Sequence, residues 1–178
     1  MNKAVFLDRD GTINIDKGYL YKISDFEFLP NAVEALKILQ NAGYLLIIIT
    51  NQSGIGRGYY TEEDFMKLNE YMKNELRKNG INLSGVYYCP HLPDAKIERY
   101  RKVCECRKPS LGLFERAVHD FDIDLSQSYA VGDKLRDCSI CLKSECRGFL
   151  INAPSPDERI KRVSSLYEAA MMITGENA

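Results

Sequence analysis

A chain of 178 residues with 45% apolar and 28% charged side chains can bury one full-sized core and has an ordinary globular balance. A formal charge of -1 excludes a global field that would gather nucleic acid or an anionic membrane, so an anionic substrate has to be met by local cations. No apolar run is long enough to span a bilayer, and Met1-Asn2-Lys3 leads into the first apolar run without a signal peptide; the sequence predicts one cytoplasmic domain over residues 1–178, acting as a monomer.

The first element is Ala4-Val5-Phe6-Leu7. A run this short fits a buried strand or part of a helix, and the Gly11-Thr12 that follows favours a strand ending in a turn. Asp8 and Asp10 then stand at its carboxyl end, where open α/β sheets bind ligands. They share a face of an extended segment, and two close carboxylates need a cation or a shared proton. That points to a divalent metal. The plainer reading is a strand end with solvated acids, but the apolar strand before and the Gly-Thr after favour a site. Residues 13–20, with Gly18, read as a connecting loop beside it. Ala32, Ala35, Leu36 and Leu39 predict a core helix over 31–41, after Pro30 and before Gly43.

Tyr44-Leu45-Leu46-Ile47-Ile48-Ile49 does not alternate, as befits a strand covered on both faces of a parallel sheet. It ends in Thr50-Asn51-Gln52-Ser53, and Gly54, Gly56 and Gly58 predict a flexible loop carrying Arg57. A hydroxyl at a strand end, followed by main-chain N–H groups, suits an oxyanion cradle. Taken alone, a polar turn explains the same residues equally well; the Asp pair tips the balance towards phosphate. Thr61 as N-cap with Glu62 and Glu63 opens a helix to about residue 78, with Phe65, Leu68, Met72 and Leu76 on its apolar face. Val86-Tyr87-Tyr88 reads as a short strand.

Cys89-Pro90-His91 and Cys104-Glu105-Cys106 come next. Three thiols and an imidazole in two clusters suit tetrahedral zinc, at a spacing tighter than the usual finger. Four unconnected side chains are the alternative, but the long polar stretch between them needs something to hold it. With four protein ligands the zinc would be structural, in a loop over about 89–106. Arg107-Lys108 follows at once, so a stapled loop would hold two cations over an anion; a solvated basic pair is the ordinary fate of such residues. A helix over about 112–120 packs Leu113, Phe114, Ala117 and Val118, with His119 a surface or capping residue. Ser128-Tyr129-Ala130-Val131 predicts a strand, followed by Gly132-Asp133-Lys134 and Arg136-Asp137. Asp133 is the stronger metal candidate, Asp137 supports it or caps the next helix, and Lys134 balances local charge. Cys138 and Cys141 share a face of a predicted helix; with Cys146 they read as buried core thiols rather than a redox or metal pair. Phe149-Leu150-Ile151 is the last central strand, and a helix over 166–173 closes the chain.

Asp8-Arg9-Asp10-Gly11-Thr12, Thr50, Lys108 and Asp133 resemble, in order, the four motifs of the haloacid-dehalogenase-like phosphatases. More narrowly, Thr50-Asn51-Gln52-Ser53-Gly54-Ile55, Cys89-Pro90-His91 and Cys104-x-Cys106-Arg107-Lys108-Pro109 resemble the subfamily of D-glycero-D-manno-heptose 1,7-bisphosphate 7-phosphatases and histidinol phosphatases. The resemblance covers nearly the whole chain. It implies an α/β, Rossmann-like three-layer fold with a mostly parallel sheet, no separate cap domain and a zinc-bound loop. It implies phosphate-ester hydrolysis with catalytic Mg²⁺ and structural Zn²⁺. Asp8 would be the nucleophile and Asp10 the general acid, then base. Mg²⁺ would be held by Asp8, Asp133 and Asp10 through its main-chain carbonyl, and Zn²⁺ by Cys89, His91, Cys104 and Cys106. Thr50, the Asn51 amide and Lys108 would bind phosphoryl oxygens; Arg107 would read the substrate, a second phosphate included. Asp16, Gly18, Tyr19 and Ser53 would lie near the sugar. The expected partner is a small sugar phosphate, with no nucleic acid and no membrane. Histidinol phosphate, or a zinc-stabilised binding module without catalysis, are the alternatives. Ser144-Glu145-Cys146-Arg147-Gly148 departs from the small residues usual in relatives before the last strand, which concerns packing after Asp133 and not the catalytic groups.

Overall fold

The continuous apolar runs become strands buried on both faces. The computed structural model describes residues 1–175. Its strands are β1 (Ala4–Leu7), β2 (Leu45–Asn51), β3 (Gly85–Cys89), β4 (Tyr129–Gly132), β5 (Arg147–Ile151) and β6 (Ile160–Val163). They form one sheet in the order β3-β2-β1-β4-β5-β6, every pair parallel. The helices are α1 (Ala32–Asn41), the single turn α2 (Ser53–Gly56), α3 (Glu62–Lys78), α4 (Gly112–Phe121) and α5 (Leu166–Thr174).

Side chains alternate across β1. Val5 and Leu7 enter one core with Leu36, Leu39, Met72, Leu76 and Ala169 from α1, α3 and α5. Ala4 and Phe6 enter the opposite core with Leu113 and Phe114 of α4 and with Cys138. This is the three-layer α/β arrangement the sequence implies, and no separate cap stands among the described residues. α3 starts as predicted: Thr61 Oγ1 accepts from the Asp64 N–H at 3.1 Å, and Asp64 Oδ2 accepts from the Thr61 N–H at 3.0 Å.

Three local readings change. The stretch carrying Cys138 and Cys141 is a 3-10 run, Leu135–Leu142, kinked at Cys138 and not an α-helix; the three thiols are buried and free, as expected. β6 escapes the sequence because Ile160-Lys161-Arg162-Val163 buries its ends and exposes its middle, so it shows no period of two. The glycines after β2 are not a flexible loop. Gly54 and Gly56 are buried in α2, and a Cβ on Gly54 would strike the Tyr60 ring.

Candidate active site

β1 leads directly to Asp8, at the switch point where strand order reverses between β1 and β4. The Asp8 N–H donates to Val131 O at 3.1 Å, tying the two strand ends together. Lys108 arrives from the segment after the second cysteine pair. Its buried Nζ donates to Asp8 Oδ1 at 3.1 Å, Asp137 Oδ1 at 2.7 Å and Ile49 O at 2.6 Å. Burial pushes the Asp8 carboxyl up to about 7; Lys108 pulls it back, while Asp137, Asp10 and Asp133 add to the rise. Burial opposes the Lys108 charge as well, but the Asp8 and Asp137 carboxylates prevail and hold it above its ordinary value.

Asp133 follows β4. Burial raises its carboxyl against the pull of Lys134, and its buried Oδ1 has no hydrogen-bond partner among the described residues. Carboxylate oxygens of Asp8, Asp133 and Asp137 lie within 4.8 Å of one another. Close acids with an orphaned oxygen fit a hard divalent cation such as Mg²⁺. Asp137 has both oxygens engaged, Oδ1 by Lys108 and Oδ2 by the Lys134 N–H at 3.0 Å. Asp8 and Asp133 are therefore the carboxylates left for such a cation. Asp137 performs both tasks weighed for it, supporting the site and capping the 3-10 run. Gly11 makes the geometry possible: its φ is +85°, and a Cβ there would strike the Asp133 carboxylate.

The Asp10 carboxylate turns away from this cluster. It accepts from Arg9 Nε and Nη2 at 3.0 to 3.2 Å, from Asn14 Nδ2 at 3.0 Å and from Gln52 Nε2 at 3.2 Å. The Asp10 carboxylate is thus held by its own set of donors, apart from Asp8, Asp133 and Asp137. Arg9, 1% exposed, and Asn14 and Gln52 form a cradle that leaves no contiguous signal in the sequence.

An open cleft of about 370 Å³ joins these groups. The expected residues Asp16, Gly18, Tyr19, Asn51, Ser53 and Arg107 all line it, and so do Thr50 and Lys108. Thr50 Oγ1 accepts from Gln52 Nε2 at 2.9 Å. The Asn51 side chain clamps the Lys108 main chain, donating to Lys108 O at 3.1 Å and accepting from its N–H at 2.9 Å. Asn51 accordingly fixes Lys108, and its side chain is not free for an anion. Asp16 Oδ1 accepts from the Gly18 N–H at 3.0 Å, and Tyr19 packs edge-on against Tyr59 at 4.8 Å. Arg57 and Arg136 also line the cleft. Arg57 Nε, Arg107 Nη1 and Arg136 Nε are buried without partners among the described residues, and burial, then the nearness of Arg136 and Arg57, pulls Arg107 below its ordinary value. Three guanidinium groups this close suit an anion. Their common signal is position, since Arg57 and Arg136 both follow closely on strand-end motifs.

The Cys89-x-His91 and Cys104-x-Cys106 pairs meet at the end of β3. Cys89, His91, Cys104 and Cys106 offer ligand atoms within 4.8 Å of one another, with His91 Nδ1 3.2 Å from Cys106 Sγ. Burial raises the Cys89 thiol and lowers His91, while burial of Cys104 is outweighed by hydrogen bonds from Cys106 and Cys89 that bring its thiol below the ordinary value; a cation bound here would draw off the remaining thiol protons. The donor set fits zinc.

The polynucleotide kinase 3 phosphatase family matches residues 3–140. A D-glycero-beta-D-manno-heptose-1,7-bisphosphate 7-phosphatase from Haemophilus ducreyi is 54% identical over 136 residues, 76% of this chain and 74% of that one. Its counterpart from Escherichia coli is 48% identical over 134 residues, 75% of this chain and 70% of that one. The solved structure of the D,D-heptose 1,7-bisphosphate phosphatase from B. bronchiseptica, complexed with magnesium and phosphate, superposes with a TM-score of 0.86. It is 28% identical and covers 98% of this chain and 99% of its own.

Proposed function

Because this chain belongs to the polynucleotide kinase 3 phosphatase family of haloacid-dehalogenase-like enzymes, alongside the D-glycero-β-D-manno-heptose-1,7-bisphosphate 7-phosphatases, we propose that it removes the 7-phosphate of that heptose bisphosphate. The observation that carries the reading is the separation of two neighbouring carboxylates inside one cleft. Asp8 sits with Lys108 and Asp133; Asp10 sits two residues on in a cradle of donors.

Asp8 attacks phosphorus, the bond to the sugar oxygen breaks, and an aspartyl-phosphate forms. Asp10 gives its proton to the departing oxygen, then takes one from the water that hydrolyses the intermediate. Lys108, Thr50 and main-chain N–H groups after β2 offset charge on the phosphoryl oxygens. Mg²⁺ bound by Asp8, Asp133 and the Asp10 carbonyl would neutralise the clustered acids and the phosphoryl group. Arg107, with Arg57 and Arg136, takes the second phosphate, and Asp16, Gly18, Tyr19 and Ser53 take the sugar. Zn²⁺ on the four cysteine and histidine ligands would hold the loop that delivers Arg107 and Lys108. A cytoplasmic enzyme acting as a monomer belongs to the same reading; Cys138, Cys141 and Cys146, outside the zinc set, are buried without a disulfide, as suits a reducing compartment.

The test is phosphate release with Mg²⁺, comparing heptose 1,7-bisphosphate with histidinol phosphate at equal concentration and Asp8→Asn as the blank. A large preference for the heptose is expected. A preference for histidinol phosphate would discard the substrate and keep the chemistry; no release from either would refute the hydrolytic reading.

A further inference from the structure

Two groups beside Asp10 have no part in the reaction as described, Gln52 and Tyr60. Both are buried, at 2% and 6% exposure. Gln52 Nε2 lies 3.2 Å from Asp10 Oδ2 and 2.9 Å from Thr50 Oγ1, while its Oε1 accepts from the Tyr60 hydroxyl. A primary amide carries two donors at one end and only an acceptor at the other. Turned as it is, Gln52 spends both N–H bonds, one on Asp10 and one on Thr50. Turned over, it would set a carbonyl oxygen against the Asp10 carboxylate. The Thr50 hydroxyl, having accepted from Gln52, keeps its own proton for a further acceptor, since Asn51 O at 3.5 Å is too distant to hold it. The orientation of one buried amide therefore governs both where Asp10 is held and what the Thr50 proton can do.

Tyr60 is fixed in turn. Its ring stacks on Tyr21 at 5.4 Å with 12° between planes, fits over the bare Gly54, and belongs to an apolar cluster with Ile55, Phe65, Leu92 and Tyr100. Burial raises its phenol, so the hydroxyl stays a donor.

Resting on the phosphatase reading above, we infer that Tyr60 is a positioning residue whose hydroxyl keys the Gln52 amide, so that Asp10 is aligned with the leaving oxygen and Thr50 donates to the phosphoryl group. The experiment measures kcat and KM for Tyr60→Phe and for Gln52→Met on two substrates. Heptose 1,7-bisphosphate has a sugar oxygen that leaves only with the proton from Asp10; p-nitrophenyl phosphate has a leaving group that departs without one. For each variant kcat/KM on the heptose should fall by about 10- to 100-fold, chiefly through kcat. On p-nitrophenyl phosphate it should fall by about 10-fold less than on the heptose, because only the loss at Thr50, common to both substrates, is felt there. A merely structural loosening would lower both alike. Equal losses on the two substrates, or no loss on the heptose, would overturn the inference alone, and Gln52→Met decides if Tyr60→Phe does not fold. A wild-type protein inactive on both would overturn the phosphatase reading and this inference with it.

Discussion

Replacing Asp8 by Asn should abolish turnover and, at alkaline pH without Mg²⁺, make the protein more stable. Burial and three neighbouring acids lift the Asp8 carboxyl from about 3.9, typical of an exposed Asp, to about 7 in spite of Lys108. A folded-state pKa raised above the unfolded value means that stability is complete below about pH 4 and lost as pH rises towards 7. At about 1.36 kcal/mol for each pKa unit, ionised Asp8 costs the folded state about 4 kcal/mol above pH 7. Asn removes that cost, and its Oδ1 can still accept from Lys108 Nζ. The gain should be near zero at about pH 4, grow to about pH 7, and then level off at about 2 to 4 kcal/mol. The assay is urea unfolding at a series of pH values, in Mg²⁺-free buffer without chelator so that the zinc ligands are undisturbed. Added Mg²⁺ should close the gap by stabilising the wild type alone. A difference independent of pH, or an Asn variant less stable at about pH 8.5, would refute the reasoning that Asp8 is a strained carboxylate awaiting a cation.

Gly11→Ala places a Cβ against the Asp133 carboxylate at a φ of +85°; a backbone cost of about 1–2 kcal/mol and a requirement for at least about 10-fold more Mg²⁺ should appear in unfolding curves and in the Mg²⁺ dependence of phosphate release. Arg57→Ala and Arg136→Ala should each raise KM for the bisphosphate by about 10-fold, the size of a lost charged hydrogen bond, while leaving p-nitrophenyl phosphate hydrolysis unchanged in the same assay. Metal analysis should find about one zinc per chain. Its removal should lower activity by at least about 10-fold in a way Mg²⁺ does not restore, with hydrogen exchange rising across residues 89–106; unchanged exchange there would exclude a structural role.

The parts of this molecule legible in its sequence are those whose signal is contiguous. The inner strands of the sheet, unlike β6, are visible because burial on both faces demands unbroken apolar runs such as Leu45 to Ile49. Asp8, Asp10, Thr50 and Asp133 were visible because each lies at, or just after, such a run. The zinc ligands come in two tight pairs. What the sequence hid is made by distant segments meeting. Nothing near Asn51 says that its amide clamps the main chain of Lys108, 57 residues away. Asp137 looks like one more cap until Lys108 is found between it and Asp8.

The hidden contacts also explain a choice that the motif alone leaves open. In Asp8-x-Asp10 both acids could have served the cation, and spacing puts them on one side of the chain. Arg9 lies between them in sequence, is buried, and takes the Asp10 carboxylate with two of its nitrogens. Asn14 comes from the following turn and Gln52 from the end of β2 to take the same carboxylate. Among the described residues the Asp8 carboxylate meanwhile receives only Lys108. One acid is surrounded by donors that fix its direction; the other is buried with other carboxylates around it and one cation to hold it. In the mechanism proposed above, nucleophile and proton carrier are thus separated by their neighbours rather than by their own chemistry, and those neighbours are what substitution at Gln52 and Tyr60 would probe.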